Sequence, residues 1–483
     1  MTSSSPSQGL VLGGGIAGLL AARVLADHLD MVRIVDRDRL PNGPVPRSGT
    51  PQARHSHALM SSGVCALESI LPGTTQALIE AGAHRIAMPE DTVILSPQGW
   101  LRRIPGDRFF LACTRDLLEF VIRQQVLQTP GISVTEACEV VGLLGDAHTV
   151  TGASVRDRTS GAVRQICADF VIDATGRESR APLWLNELGL GRVSETVLDP
   201  GLGYATRLFR APDQARHNFP TVMLQPGSET SRPGRGGIVL PVEEGHWIVT
   251  LTGTRGGVPP VDEDGFMEFA RTLQHPVIYE LMAAADPIGP VRGFRCLGNR
   301  RRDYHRMASW PVGFAVIGDA VTMLNPVYGH GMSVAIVGVT ALRDGLARHG
   351  LDPGAGKKVQ KAVAHAANLA WLLATVQDAR RPLTTGHPMR FARVVNWFID
   401  RLNAAATERP AAARAVADLF TLSQSLPAIL SPAILAAVLA GRRKKAPTAH
   451  PPFTHKEIAS LGCEQVPSSS RQNIKISVGK GEA

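Results

Sequence analysis

The sequence has 483 residues, of which 44% are apolar, and it carries a formal net charge of +9 at pH 7. A chain of this length can bury a large core and fill two or three layers or domains. The first residues, "MTSSSPSQG", lack the basic start and apolar run of a signal peptide, and no later apolar run reaches the roughly 20 residues of a spanning helix. We therefore expect a cytoplasmic protein without a membrane span.

Cysteine and aromatic usage exclude other classes. The six cysteines are scattered without a C-x-x-C pair, which argues against a disulfide scaffold and against a cysteine-zinc module. Aromatic residues make up 5% of the chain and no basic patch is interleaved with them, so nucleic acid is not a predicted partner.

The chain begins with a βαβ pattern that contains a G-x-G-x-x-G turn formed by Gly13, Gly15 and Gly18. Gly13 permits the tight turn, Gly15 lets a pyrophosphate approach the backbone, and Gly18 lets the helix pack closely on the strand. Asp36 ends the second strand, where a carboxylate can accept hydrogen bonds from a ribose. The pattern predicts a dinucleotide site and leaves FAD and NAD(P) as alternatives.

A second motif, "VGFAVIGDAVTMLNPVYGHGMSVAI", follows about 300 residues later. Its strand delivers Asp319 to the edge of the sheet, where a carboxylate can bind the hydroxyls of a ribityl chain. Pro326 opens a turn, after which Gly329, Gly331 and Met332 present backbone N–H groups at a helix start. Such a helix terminus stabilises the negative charge of a reduced flavin. A flavin needs this distant contact and a nicotinamide does not, so the pair of motifs predicts FAD.

The predicted fold class is α/β: a Rossmann-type FAD-binding domain with an inserted, mainly antiparallel β-sheet substrate domain and C-terminal helices. Residues 60–130 predict mainly helices, the last with Thr114 as its N-cap. Turn-punctuated strands follow after residue 200, with a hairpin around residues 243–246. The predicted boundaries are 8–200 and 301–345 for the two parts of the FAD-binding domain, 201–300 for the substrate domain, 346–445 for the C-terminal helices and 446–483 for a flexible tail.

Five stretches carry a closer resemblance to a known family. They are "RSGTPQARHSHAL", "LPGTTQALIEAGAHRI", "YATRLFRAP", "GHWIVTLTGTRGG" and "NPVYGHGMS". With them the chain resembles the FAD-dependent monooxygenases of the aromatic-hydroxylase class. Within that class it is similar to the polyene epoxidases of polyether antibiotic pathways, such as those of lasalocid and monensin biosynthesis, from about residue 9 to residue 460.

The resemblance implies a set of FAD contacts and a reaction. The implied contacts are Gly13, Gly14, Gly15, Ile16, Ala17, Gly18, Asp36, Arg37, Arg47, Arg115, Val140, Asp319, Pro326, Gly329, His330, Gly331 and Met332. A flavin C4a-hydroperoxide formed with O2 would epoxidise an alkene, so neither a catalytic side-chain nucleophile nor a metal is expected. Hydroxylases of this class usually carry Asp-Gly in a segment tied to NAD(P)H use, where this chain has Thr175-Gly176, and this difference argues against tightly regulated direct use of NADPH. The expected electron source is NAD(P)H or a separate flavin reductase.

The expected substrate is an apolar polyene or polyketide, either free or presented on an acyl carrier protein. His57, Tyr204, Phe209 and Trp247 are the predicted pocket residues. Two other functions stay open: hydroxylation of an aromatic ring, and a flavin-fold binding protein without catalysis. A flavin halogenase is disfavoured because no W-x-W-x-I-P motif is present.

The loop "RSGTPQARHSHAL" raises a separate question, because His55 and His57 are spaced like a pair of metal ligands. No third ligand cluster stands out in the sequence, which makes the metal site the weaker interpretation. We expect Arg47 to reach FAD, and His57 either to face the pocket or to support the loop.

Overall fold

The computed structural model describes residues 6–227, 229–295, 298–424, 431–440 and 450–462. The strands of this part of the chain are β1 (Gln8–Leu12), β2 (Met31–Val35), β3 (Ala58–Met60), β4 (His84–Met88), β5 (Thr92–Ser96), β6 (Gly99–Trp100), β7 (Arg108–Ala112), β8 (Ile132–Thr135), β9 (Cys138–Gly145), β10 (Val150–Asp157), β11 (Val163–Cys167), β12 (Phe170–Asp173), β13 (Glu195–Asp199), β14 (Gly203–Arg210), β15 (Thr221–Leu224), β16 (Arg235–Val242), β17 (His246–Gly253), β18 (Asp286–Arg295), β19 (Asn299–Arg302), β20 (Phe314–Val316), β21 (Thr322–Met323) and β22 (Thr385–Gly386). The helices are α1 (Ile16–Leu25), α2 (Ser61–Ile70), α3 (Thr74–Glu80), α4 (Arg115–Leu127), α5 (Ala181–Glu187), α6 (Glu263–Arg271), α7 (Val277–Ala283), α8 (Gly331–His349), α9 (Ala355–Ala366), α10 (Asn368–Asp378), α11 (Ala392–Ala406), α12 (Pro410–Phe420), α13 (Pro432–Ala440) and α14 (His455–Ser460). The predicted α/β fold class is confirmed.

One of the two main sheets is a five-stranded parallel sheet, ordered β20-β12-β1-β2-β8. Its central strands are almost wholly buried and apolar, as parallel strands covered by helices require. The carboxyl ends of β1, β12 and β20 lead into Gly13, Ala174 and Ile317 respectively. The two glycine motifs, about 300 residues apart in the chain, therefore start from one edge of one sheet, the edge at which open α/β sheets bind ligands.

The other main sheet has seven strands, ordered β18-β14-β17-β16-β15-β5-β6. Its pairs are antiparallel except for β15 with β5, and β16 and β17 form the predicted hairpin. Two of its strands, β5 and β6, lie ahead of the 201–300 span, within the region predicted as mainly helical. That region in fact contains β4 to β7 beside its helices, because hydrophobic periodicity does not distinguish a short strand from a short helix. The N-cap is confirmed, because the Thr114 side chain accepts a hydrogen bond from Leu117 N.

The seven-stranded sheet has one closed face and one open face. Helices α6 and α7 cover the closed face, where Phe209 and Trp247 pack in a buried apolar cluster. Tyr204 and Thr250 point the other way, into a cavity. The prediction that Phe209 and Trp247 line the substrate pocket is therefore corrected. Side chains alternate along a strand, so Phe209 cannot share a face with Tyr204, five residues earlier.

The C-terminal helices α10, α11 and α12 line one end of the cavity, and α13 packs on α11 and α12. Beyond them, the segment 450–462 lies within the predicted flexible tail, yet its helix α14 has a capping box at Thr454. Arg103 forms two hydrogen bonds with Glu457, and Phe453 packs on Phe219. The remainder of the predicted tail lies outside the described residues. Among the described helices, none combines the length and apolarity needed to cross a membrane.

Candidate cofactor and substrate site

A single cavity of about 960 Å³ lies between the two sheets and the C-terminal helices. It is lined by most of the residues predicted to contact FAD: Gly13, Gly15, Ile16, Ala17, Asp36, Arg37, Arg47, Arg115, Val140, Asp319, Pro326, Gly329, His330, Gly331 and Met332. Of the predicted pocket residues, His57 and Tyr204 line it as well. The fold thus brings both glycine motifs and the Arg47 loop to one space.

The first glycine turn has the geometry of a diphosphate site. Gly13 has a φ of 100° and donates to Val35 O at 2.8 Å. A Cβ on Gly18 would lie 1.8 Å from Gly13 O, so only glycine lets α1 start here. A Cβ on Gly15 would meet nothing nearer than an Arg47 nitrogen at 3.8 Å. Because no side chain caps α1, its first N–H groups are available to a bound anion.

Behind this turn lies a compact set of charges around Arg47. Its guanidinium contacts Glu119 at 2.7 Å, Asp36 at 3.1 Å and Asp38 at 3.4 Å. Burial opposes the charge on Arg47, but the three carboxylates outweigh burial and raise its pKa. Asp36 also accepts from Gly14 N at 2.6 Å, so its carboxylate is fixed beside the glycine turn. Arg115 contacts the other oxygen of Glu119 at 3.4 Å.

The second glycine motif lines another part of the same cavity, with Asp319 and the start of α8. Burial raises the pKa of Asp319, and the charges of Arg115, Arg177 and Arg300 oppose that rise. Helix α8 begins after His330, again without a side-chain cap, and a Cβ on Gly331 would meet nothing within 4 Å. Two helix starts without a side-chain cap therefore face one cavity, and such termini can bind the negative charge of a diphosphate or of a reduced flavin ring.

The three cavity histidines are held neutral by burial. His330 Nε2 lies 2.9 Å from Phe420 O, while its buried Nδ1 has no partner among the described residues. Burial lowers the pKa of His330 to about 4. His57 Nδ1 bonds to His55 O at 2.8 Å, and burial together with Arg115 lowers the pKa of His57 to about 3. His57 thus both supports its loop and lines the cavity.

His55 starts a chain of hydrogen bonds across the open face of the seven-stranded sheet. Its Nδ1 lies 2.7 Å from Thr206 Oγ1, which lies 2.7 Å from Thr250 Oγ1, which lies 2.7 Å from Ser56 Oγ. Tyr204 packs edge-on against the His55 ring with 4.5 Å between centroids. The sequence indicated His55 only as a neighbour of His57; nothing in it could pair this loop with strands about 150 residues away.

Sequence reasoning missed the charged residues at the far end of the cavity, under the C-terminal helices. Tyr328 donates to Asp378 Oδ1 at 2.7 Å, and Asn299 and Asn325 donate to Asp378 Oδ2 at 2.7 and 2.9 Å. Burial raises the pKa of Asp378 to about 6. Arg380 and Arg381 follow after one alanine and also line the cavity. The available signal was the charged run "QDARR" at the end of an apolar helix.

Two further predictions concern a metal and the Thr175-Gly176 segment. Across the part of the chain that the structure describes, no group of three His, Cys, Asp or Glu side chains could hold a metal ion. Thr175 donates to the fully buried Asp173, whose carboxylate also accepts from Ser179. Thr175 and Gly176 themselves face the cavity.

Comparisons with known proteins agree with this geometry. The family model described as FAD binding domain matches residues 7–371. The protein Rv3254 of Mycobacterium tuberculosis is 30% identical over 449 residues, which are 89% of this chain and 93% of that protein. Kynurenine 3-monooxygenase of Salinispora tropica is 26% identical over 357 residues, 70% of this chain and 72% of the enzyme. Among solved structures, the flavin-dependent brominase Bmp2 superposes with a TM-score of 0.62 at 14% identity, over 89% of this chain and 99% of the brominase.

Proposed function

We propose, from the premise that this chain belongs to the FAD binding domain family of FAD-dependent monooxygenases, that it epoxidises an alkene of an apolar polyketide. The observation that carries the proposal is the cavity of about 960 Å³, which continues past both FAD motifs to a wall of apolar side chains. The similarity to polyether-pathway epoxidases supports an alkene as the acceptor. The proposed electron source is NAD(P)H or a separate flavin reductase, and the oxidant is O2.

The residues that would hold FAD divide between the two glycine motifs. The start of α1 would bind the diphosphate, Asp36 the adenosine ribose, Asp319 the ribityl chain, and the start of α8 the pyrimidine side of the flavin ring. When bound and reduced, FAD supplies the activation of O2 and the transfer of one oxygen atom. The other oxygen atom leaves as water, with two electrons from the reductant.

The chain itself would position the alkene and exclude water. Met60, Phe110, Ile238 and Leu240 form an apolar surface on the cavity wall, beside the hydroxyl chain of Thr206 and Thr250. His55 and His57, whose pKa values burial lowers to about 4 and about 3, add no charge beside this surface at neutral pH. A dry, apolar wall holds an alkene close to the flavin and slows loss of the activated oxygen to water.

Hydroxylation of an aromatic ring is the second candidate, and one comparison favours it: the related enzyme from Salinispora tropica is named a kynurenine 3-monooxygenase. The two functions use the same cofactor site and differ in the acceptor that fits the cavity.

The test is product analysis with the purified, FAD-loaded protein. A linear polyene acid and a phenol would each be incubated with NADH or NADPH, with and without a flavin reductase, under O2 labelled with heavy oxygen. Epoxidation predicts one labelled oxygen atom per epoxide, only when FAD and reductant are present. A labelled catechol with an unchanged polyene would favour the aromatic hydroxylase, and no labelled product from either acceptor would contradict both.

A pair of aspartate variants controls the experiment. Asp319→Ala removes the carboxylate beside the second glycine turn and is expected to lower FAD content and product formation together. Asp352→Ala removes an exposed carboxylate outside the cavity lining and is expected to change neither. Full FAD content and full activity in Asp319→Ala would remove the proposed role of the second motif.

A further inference from the structure

The far end of the cavity contains a half-buried arginine, Arg381, that makes no direct ion pair with any carboxylate among the described residues. Arg380 and Arg381 are neighbours in the sequence and both line this end. Arg380 forms a two-point ion pair with Asp400, at 3.0 and 2.8 Å. Among the described residues, no carboxylate lies within ion-pair distance of the Arg381 guanidinium.

The hydrogen bonds of Arg381 are with neutral groups; the carboxylates of Asp378 and Asp400 act on its charge from farther away, and burial outweighs them and lowers its pKa. Its two terminal nitrogens donate to main-chain carbonyls, Gly227 O at 3.0 Å and Pro226 O at 3.5 Å. Asp378, the nearest acid in the sequence, uses its carboxylate to accept from Tyr328, Asn299 and Asn325. A guanidinium has five N–H donors, so these two acceptors leave donors available toward the cavity.

The chain makes room for this charge. A Cβ on Gly234 would lie 3.0 Å from Arg381 Nε and 3.1 Å from its Cδ, so a larger residue there would displace the side chain. A half-buried cation with neutral partners costs free energy unless an anion joins it, and a planar guanidinium matches a carboxylate through two parallel hydrogen bonds.

The surroundings of Arg381 identify the kind of anion. Leu373, Ile399, Leu402, Val416 and Leu419, from the C-terminal helices, line the same end of the cavity. An arginine without a direct ion pair, beside apolar side chains of the same cavity, suits an amphipathic molecule with a long apolar body and one anionic end better than it suits a small hydrophilic ion.

We infer that Arg381 binds the terminal carboxylate of the substrate, so that the protein takes the apolar chain as a free acid. This inference rests on the proposed function and deepens it: the carboxylate fixes one end of the chain and so decides which alkene reaches the flavin. A substrate esterified to a carrier protein has no such carboxylate and would gain nothing from Arg381.

The test is a binding titration of the FAD-loaded protein in the absence of reductant, followed through the visible spectrum of the flavin. The probes are a long-chain trienoic acid and its methyl ester. The unmodified protein is expected to bind the acid about 10-fold more tightly than the ester, because the acid adds a charge-assisted pair. Equal affinities, including no measurable binding of either probe, would overturn the inference.

Variants of Arg381 separate charge from shape. Arg381→Met is expected to remove the preference for the acid and to leave the ester affinity unchanged, and Arg381→Lys to keep part of the preference. Arg210→Met, at an exposed arginine on the end of β14 and outside the cavity lining, is the matched control and is expected to keep the full preference. If Arg381→Met does not retain FAD, Arg381→Lys decides: an undiminished preference for the acid there would contradict two-point binding.

The readout distinguishes the two proposals. The titration measures binding without turnover, whereas the labelled-oxygen experiment measures the reaction. Tighter binding of the acid without epoxide formation would support the carboxylate site and contradict the epoxidase function. Equal formation of epoxide from the acid and the ester would support the epoxidase function and contradict the carboxylate site.

Discussion

The two ends of the cavity differ in how their arginine side chains are paired. At the adenosine end, Arg47 contacts three carboxylates, Asp36, Asp38 and Glu119, so the charges are neutralised before any ligand is present. At the far end, the hydrogen bonds that Arg381 makes with described residues go to two main-chain carbonyls, and no described carboxylate pairs with it directly. A cofactor that stays bound can rely on helix termini and on ion pairs that exist without it. A substrate that binds and leaves can itself supply the carboxylate that pairs with Arg381.

Disrupting the first glycine turn should have the largest effect on stability and on FAD binding. In Gly18→Ala the new Cβ would lie 1.8 Å from Gly13 O, so α1 has to move away from β1. We expect a loss of more than about 3 kcal/mol of folding free energy and no retained FAD, measured by denaturant unfolding and by the visible spectrum. Gly142→Ala is the control, since its Cβ would meet nothing within 4 Å; equal FAD content in both variants would refute the role of Gly18.

Removing one carboxylate from the neutralised cluster is the next largest change. Glu119 is buried between Arg47 and Arg115, so Glu119→Gln leaves two guanidinium groups short of negative charge. We expect a loss of about 3 kcal/mol in the free energy of unfolding. Glu80→Gln changes an exposed glutamate and should cost less than about 0.5 kcal/mol. Similar losses in the two variants would mean that the cluster does not stabilise the fold.

The smallest expected effect concerns pH on the substrate side. Burial, with the charge of Arg54, lowers the pKa of His55 from 6.5 to about 4. Below pH 6.5 the His55 imidazole binds a proton in the unfolded chain but stays neutral in the folded protein. The free energy of unfolding therefore falls as the pH drops from 6.5 toward 4. We expect His55 to account for a loss on the order of 2 kcal/mol by pH 5.

The measurement compares the free energy of unfolding at pH 7 and pH 5 in the unmodified protein and in His55→Gln. The variant should lose about 2 kcal/mol less, since glutamine does not titrate. Burial raises the pKa of Asp378 to about 6, which stabilises the fold as the pH falls from 6 toward its ordinary value, but this contribution is present in both proteins and cancels. Identical losses would show that His55 is not held neutral.

The sequence by itself determined the cofactor half of this protein. The glycines at 13, 15 and 18 and the acid at 36 lie within one βαβ unit, so their chemistry follows from local spacing alone. The second motif has the same property, because Asp319 and the turn before α8 are neighbours in the chain. Each motif is a strand end joined to a helix start, and that geometry is encoded over a few residues.

Only the tertiary structure decided the substrate half. Strand periodicity could show that Phe209 and Tyr204 lie on opposite faces, yet which face meets the cavity depends on where α6 and α7 pack. The chain from His55 to Thr250 joins residues almost 200 positions apart. Arg381 became a candidate ligand only when the fold showed Arg380 in an ion pair with Asp400 and Arg381 without a direct ion pair among the described residues. Local patterns record which groups a strand or turn presents, whereas the balance of charge in a cavity depends on every element that closes it.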